Sequence, residues 1–330
     1  MEKDHTPSKS YPRVNHTHDH RHHYEEGLAE RTLSGTFSIS SCYDFSMKRI
    51  FIILVTLLLL ALIAFCVYVA LKKPSNDRTW DPSFSKLNTI DFNSDGSLLI
   101  HNVRNFTYSE AGVETHEWND TVVHPEDIES VSFFLDLFAP ATPQVGHTFV
   151  SFRFKDGSTL AFSIEARREA TEKYSFIGGF IRDFELQYLW GTERDLISQR
   201  VVYKNEQLYR FPLTVTSAQA AGLLTEFAKE TNTLAATPRW YNTLTANCTN
   251  LLAKIINKYH PGTLPYDISW NLTGLSDGYL EHQGFIETNG ATQAALRTKY
   301  DLTVHRSEIS EQATSTPIEF SNYIRSLVAK

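Results

Sequence analysis

Cysteine and methionine are scarce in this chain of 330 residues, with three of the first and two of the second. Cys42 precedes a long apolar run and Cys66 lies inside it, which leaves Cys248 with no evident disulfide partner. So few cysteines exclude a disulfide-stapled scaffold or a cysteine-rich zinc fold. Cofactor motifs are missing as well. There is no HExxH, no GxGxxG and no Walker glycine loop, and Gly178-Gly179 is too little to imply phosphate binding. Neither a metal nor another cofactor is expected. The net charge is −7, and no basic stripe interleaved with aromatics speaks for nucleic acid as a partner.

Long hydrophobic runs are absent too, with one exception. Residues 50–71 are apolar apart from Thr56 and Tyr68. At about 1.5 Å per residue the run reaches roughly 33 Å, enough for a hydrocarbon layer of about 30 Å. It starts too late and runs too long for a cleaved signal peptide. A single transmembrane anchor is therefore expected over residues 48–73, flanked by Lys48 and Arg49 on one side and Lys72 and Lys73 on the other. These flanks balance, so charge does not set the orientation. Residues 1–47, with His16, His18, His20, His22 and His23 in HTHDHRHHY, read as a disordered tail, a solvated segment rather than a metal site. Residues 74–97 read as a linker and residues 98–330 as one domain.

Within that domain the strongest pattern is HTFVSFRF, where His147, Phe149, Ser151 and Arg153 alternate with Thr148, Val150, Phe152 and Phe154. Asp156-Gly157 reads as a hairpin turn, and TLAFSIEA as the returning strand. One face of this pair is expected to meet a core and the other a polar cleft. QRVVYKN and QLYRFPL read as a further antiparallel pair. Thr216 with Gln219 forms a capping box before a helix that buries Ala220, Leu224, Phe227 and Ala228. Leu251, Leu252, Ile255 and Ile256 mark a second helix. Thr316, Pro317 and Glu319 open a last one, with Phe320, Tyr323, Ile324 and Leu327 inward. The fold class is α+β, an antiparallel sheet packed with helices after a single transmembrane helix.

Cys248 stands at the expected start of the second helix, where oriented N–H groups favour a thiolate nucleophile. The same spacing also fits a buried core cysteine. A nucleophilic thiol needs a base. Among the seven histidines after the anchor, His147 has the best setting, at the head of a rigid strand. Glu165 is the first choice to orient it and Ser163 a weaker substitute. Tyr241 and Asn247 are candidates for supporting an oxyanion together with the Cys248 N–H. Arg167 and Arg168 either meet an anionic headgroup or form an ordinary surface pair. Asn105, Asn119, Asn247 and Asn271 open N-x-S/T sequons, which matter only in a eukaryotic secretory pathway.

The ordered blocks VRNFTY, VGHTFVSFRF, LAFSIEARRE, ELQYLWGTERDLISQR, PRWYNTLTANCTNLL and, more loosely, GYLEHQGFIET together resemble the periplasmic catalytic domain of the bacterial lipoprotein N-acyltransferase family Lnb. The resemblance covers about residues 98–290. It implies a permuted papain-like (NlpC-like) thiol enzyme in which the family's histidine falls on His147, its cysteine on Cys248 and the glutamate of its SxEAR block on Glu165. It further implies that Cys248 takes an acyl chain from a membrane phospholipid and passes it to an amine acceptor such as a lipoprotein N-terminus. The implied location is the bacterial inner membrane, with the domain in the periplasm. Family transferases add a multi-span membrane segment after this domain, and no such run occurs up to Lys330. Hydrolysis of a lipid ester, amide or peptide bond, or an inactive envelope interaction domain, are the alternatives. The oligomeric state is not legible.

Overall fold

The computed structural model describes residues 39–139 and 141–328. The histidine-rich stretch lies outside them. Helix α1, Ile39–Leu71, is uninterrupted over 33 residues, because no proline or glycine stands between Gly35 and Pro74. Residues 39–47, expected in the tail, are therefore helical. Nearly all of its described side chains are exposed, an arrangement that a bilayer satisfies and water does not. The helix fits a single-pass membrane protein.

The chain from Ala64 onward forms one compact unit. Its strands are β1 (Thr89–Phe92), β2 (Leu98–Arg104), β3 (Thr107–Ser109), β4 (Gly112–Thr115), β5 (Trp118–Val123), β6 (Ile128–Leu137), β7 (Gly146–Phe154), β8 (Thr159–Arg167), β9 (Glu185–Gly191) and β10 (Gln207–Pro212). Helices α2 (Glu193–Ser198), α3 (Ser217–Ala236), α4 (Cys248–Tyr259), α5 (Ser276–His282), α6 (Gln293–Tyr300), α7 (Arg306–Gln312) and α8 (Pro317–Val328) complete it. Among the described residues eight strands form one sheet in the order β1-β2-β9-β8-β7-β6-β10, with β5 beside β2, while β3 and β4 pair apart. Pairing is antiparallel except for a single parallel bridge between β2 and β9 at Arg104 and Gly191. The class is mixed α and β, as the patterning predicts.

Helices cover both faces of the central strands. On one face Val150, Phe152, Phe162 and Ile164 pack with Leu224 and Phe227 of α3 and Leu251 and Ile255 of α4. On the other, Phe134, Phe149 and Ala161 meet Leu196, Ile197 and Val201, with Phe320 and Ile324 of α8. The alternation predicts a polar second face, open to a cleft. Instead it is covered over most of its length, and Ser151 is fully buried. Only the strand ends nearest His147 and Glu165 stay open.

Two further expectations change. Residues 199–203 form a π-helical turn, not a strand, continuing α2 and closed by Lys204 N–H donating to the Gln199 carbonyl at 3.0 Å. Val201 and Val202 are buried as a strand would bury them, which is why their composition misleads. β10 pairs instead with β6. Residues 74–97 are not a free linker. β1 joins the sheet edge, Phe84 is buried, and the Asn88 side chain reaches the carbonyls of His101 and Asn102 at 3.0 and 2.8 Å.

Candidate active site

β7 begins at Gly146, and the fold leaves no room there for a larger residue, since a Cβ would lie 2.3 Å from the Asp136 carbonyl oxygen of β6. The Thr273 hydroxyl clamps this strand end, accepting from Gly146 N–H at 2.9 Å and donating to Gly146 O at 2.7 Å. The next residue, His147, is thus held at a fixed edge, directly opposite Asp136 in the β6–β7 register.

α4 begins at Cys248, as its sequence predicts. Asn247 is the N-cap, and its side-chain oxygen accepts from Asn250 N–H at 2.8 Å. Its Nδ2 donates to the carbonyls of Thr243 and Trp270 at 3.0 and 2.9 Å. That amide is consumed in fixing the loop, so it is not free to serve an oxyanion. Asn247 is also buried, which leaves no room for a glycan on its sequon. The backbone N–H of Cys248 heads the helix among its unpaired first-turn donors.

Cys248, His147, Glu165 and Ser163 converge across the strand ends. Ser163 Oγ lies 2.7 Å from His147 Nε2 and donates to Glu165 Oε1 at 2.7 Å. Glu165 Oε1 is also 3.3 Å from His147 Nε2. Cys248 lines the same cleft as His147. Burial disfavours an imidazolium, but Glu165 and Cys248 more than reverse it and raise His147 to about 9. Burial likewise works against the thiolate, yet His147, helped by Thr148, brings the Cys248 thiol below its usual range. Glu165 is held well below the carboxylate range: burial opposes this, and His147 and Arg200 outweigh it. The mutual pull of the two groups thus favours the thiolate–imidazolium form over the neutral pair.

These groups line a cleft of about 420 Å³ that also receives Tyr174, Tyr241, Arg168 and Arg200. Burial, with Cys248 and Tyr174 adding to it, pushes the Tyr241 hydroxyl well above its usual range, so it stays protonated beside the sulfur. Arg168 reaches the cleft wall, with Asp81 3.8 Å away. Arg167 does not. Its guanidinium is buried 3.8 Å from the Trp80 ring centroid and its Nε donates to the Phe84 carbonyl at 3.0 Å, so no headgroup can reach it.

Sequence reasoning missed three contributors. Arg200 ties Glu165 and Asp136 together at 3.2 and 3.1 Å. Asp136 is fully buried in β6 and raised to about 7, chiefly by burial and then by Glu206. Thr148 links β7 to α4 through a 2.9 Å contact between its hydroxyl and that of Thr249. Asp136 left a signal, a lone acid inside the apolar run FFLDLF. The other two left none.

Comparison with known proteins finds one similarity. Residues 114–273 match the family model described as Lnb N-terminal periplasmic domain, a span that holds His147, Ser163, Glu165, Tyr241 and Cys248. No curated protein and no solved structure matches the chain.

Proposed function

From the premise that residues 114–273 are an Lnb N-terminal periplasmic domain, we propose that the chain is an inner-membrane cysteine acyltransferase of the permuted papain-like kind, with its domain in the periplasm. The observation that carries this reading is the meeting of Cys248, at the head of α4, with His147, Ser163 and Glu165 in one cleft. The thiolate attacks the carbonyl carbon of a phospholipid ester. The oxyanion formed takes hydrogen bonds from the Cys248 N–H and the Tyr241 hydroxyl. As the intermediate collapses, His147 gives its proton to the glyceryl oxygen and a lysophospholipid leaves. An amine acceptor such as a lipoprotein N-terminus then attacks the thioester, His147 takes its proton, and an amide forms as the thiolate leaves. Arg168, which lines the cleft with Arg200 and Lys204, is our candidate to meet the donor phosphate.

The test is an acyl-labelled phospholipid incubated with the solubilised protein and its Cys248→Ala and His147→Ala variants. Intact mass should show a hydroxylamine-labile adduct on the wild-type chain alone, with turnover in either variant down by about a thousandfold or more. Release of free acid without an acceptor would make the protein a hydrolase. If no adduct and no free acid formed, the acyl-transfer reading would be lost.

A further inference from the structure

Residues 174–182, YSFIGGFIR, connect β8 to β9 and leave large apolar side chains in the open. Ile177 is 70% and Phe176 52% exposed, unusual for a loop whose backbone is otherwise well tied down. The ties run in two directions. Arg182, in the left-handed region at φ +58°, donates through Nη1 to the carbonyls of Val69 and Ala70 at 3.2 and 2.8 Å, in the last turn of α1. Lys72 returns the contact, donating to Asp183 at 2.7 Å and to the Ile181 and Arg182 carbonyls at 3.3 Å. On the other side, the Thr243 hydroxyl donates to the Phe176 carbonyl at 3.0 Å, and Gly179 passes so close that a Cβ would sit 2.1 Å from Thr243 Oγ1. The loop thus bridges the end of the apolar helix and the segment that leads into Cys248.

Between these parts runs a groove of about 560 Å³ walled by Phe65, Val69, Phe180, Ile181, Trp240 and Tyr241. Its size falls in the range of sites that hold a small organic ligand. Tyr241 lines both this groove and the cleft that contains Cys248. The walls begin on the helix that a bilayer would solvate, and they end on a residue beside the nucleophile.

We propose that this groove, roofed by the 174–182 loop, is the acyl-chain site, through which a phospholipid chain passes from the bilayer to Cys248. The occupant is a lipid tail because the groove is continuous with the apolar helix and its walls are chiefly apolar and aromatic. The exposed Phe176 and Ile177 seat the loop in the same bilayer. As a source of the acyl donor, the site rests on the acyltransferase reading. As a lipid-binding site it is tested separately.

The experiment uses the full-length Cys248→Ala chain in nanodiscs of phosphatidylethanolamine bearing a diazirine midway along one acyl chain. Photolysis and peptide mapping should place crosslinks on Trp240, Tyr241 and Ile181, and Ile181→Trp, which fills the groove, should remove those on Trp240 and Tyr241. Crosslinks confined to α1 and the tips of Phe176 and Ile177 would overturn the proposal. On the active chain, Ile181→Trp should slow adduct formation from a long-chain phospholipid by about tenfold while sparing a water-soluble short-chain acyl thioester. Equal slowing of both donors would also overturn it. Groove crosslinks with no adduct from either donor would leave the site standing and remove the acyltransferase reading alone.

Discussion

Glu165 is the residue on which the protonation of the site turns. His147 sits at about 9 because Glu165, then Cys248, stabilises the imidazolium against the cost of burial. Above that pH the imidazolium is lost, and with it the acid that protonates the leaving group. Below the depressed thiol range the thiolate itself is lost. Alkylation of Cys248 by iodoacetamide should therefore rise from acid pH, hold, and change again near pH 9. Glu165→Gln removes the first stabiliser of the imidazolium, so the alkaline limb must move to lower pH. Acyl transfer on that limb should fall by about tenfold for each unit of displacement. An unmoved limb would show that Glu165 holds His147 in place without tuning it. The residues of this pair were legible because cysteine is scarce and strand alternation puts His147 at an edge. Asp136 is marked only as a lone acid in an apolar run, and its pairing with Arg200 is not legible at all, since a buried ion pair depends on elements that sequence spacing does not bring together.

At the scale of elements, local rules served wherever a side chain bonds to its own backbone neighbourhood. The Thr216–Gln219 capping box forms as its spacing dictates, as does that of Thr316 and Glu319. They failed where tertiary contact decides. QRVVY carries β-branched residues and still winds into a π-helical turn, because that geometry buries Val201 and Val202 while aiming Arg200 at Glu165. The polar run after Lys73 reads as a linker, yet Asn88 and Phe84 lock it to the sheet edge. Asn247 joins both kinds of rule, as a cap for α4 and as a strut between Thr243 and Trp270. Asn247→Asp keeps the cap acceptor and loses the two donors, leaving buried carbonyls unpaired. Urea unfolding should register a loss of about 1–3 kcal/mol. The added carboxylate next to the sulfur should also raise the thiol's pKa, read as slower alkylation at neutral pH. If stability were unchanged, the strut would carry no weight.

For the molecule as a whole, the anchor changes what concentration means. On the proposed acyltransferase reading, a chain held by one apolar helix would meet its lipid donor at the density of the surrounding bilayer, whatever the bulk amount of lipid, just as a linker sets the effective concentration of a tethered ligand. Two dilutions separate these quantities. Adding more vesicles of the same composition raises bulk lipid and leaves surface density alone. Mixing in an ether lipid, which has no ester to attack, lowers surface density at constant bulk. Thioester formation by the reconstituted chain should ignore the first dilution and fall about twofold when ether lipid replaces half of the donor. A rate that instead rose with added vesicles and ignored the ether lipid would show that the donor does not come from the surrounding bilayer. The membrane would then be only the place where the protein is kept, and the exposed apolar loop beside α1 would need another partner.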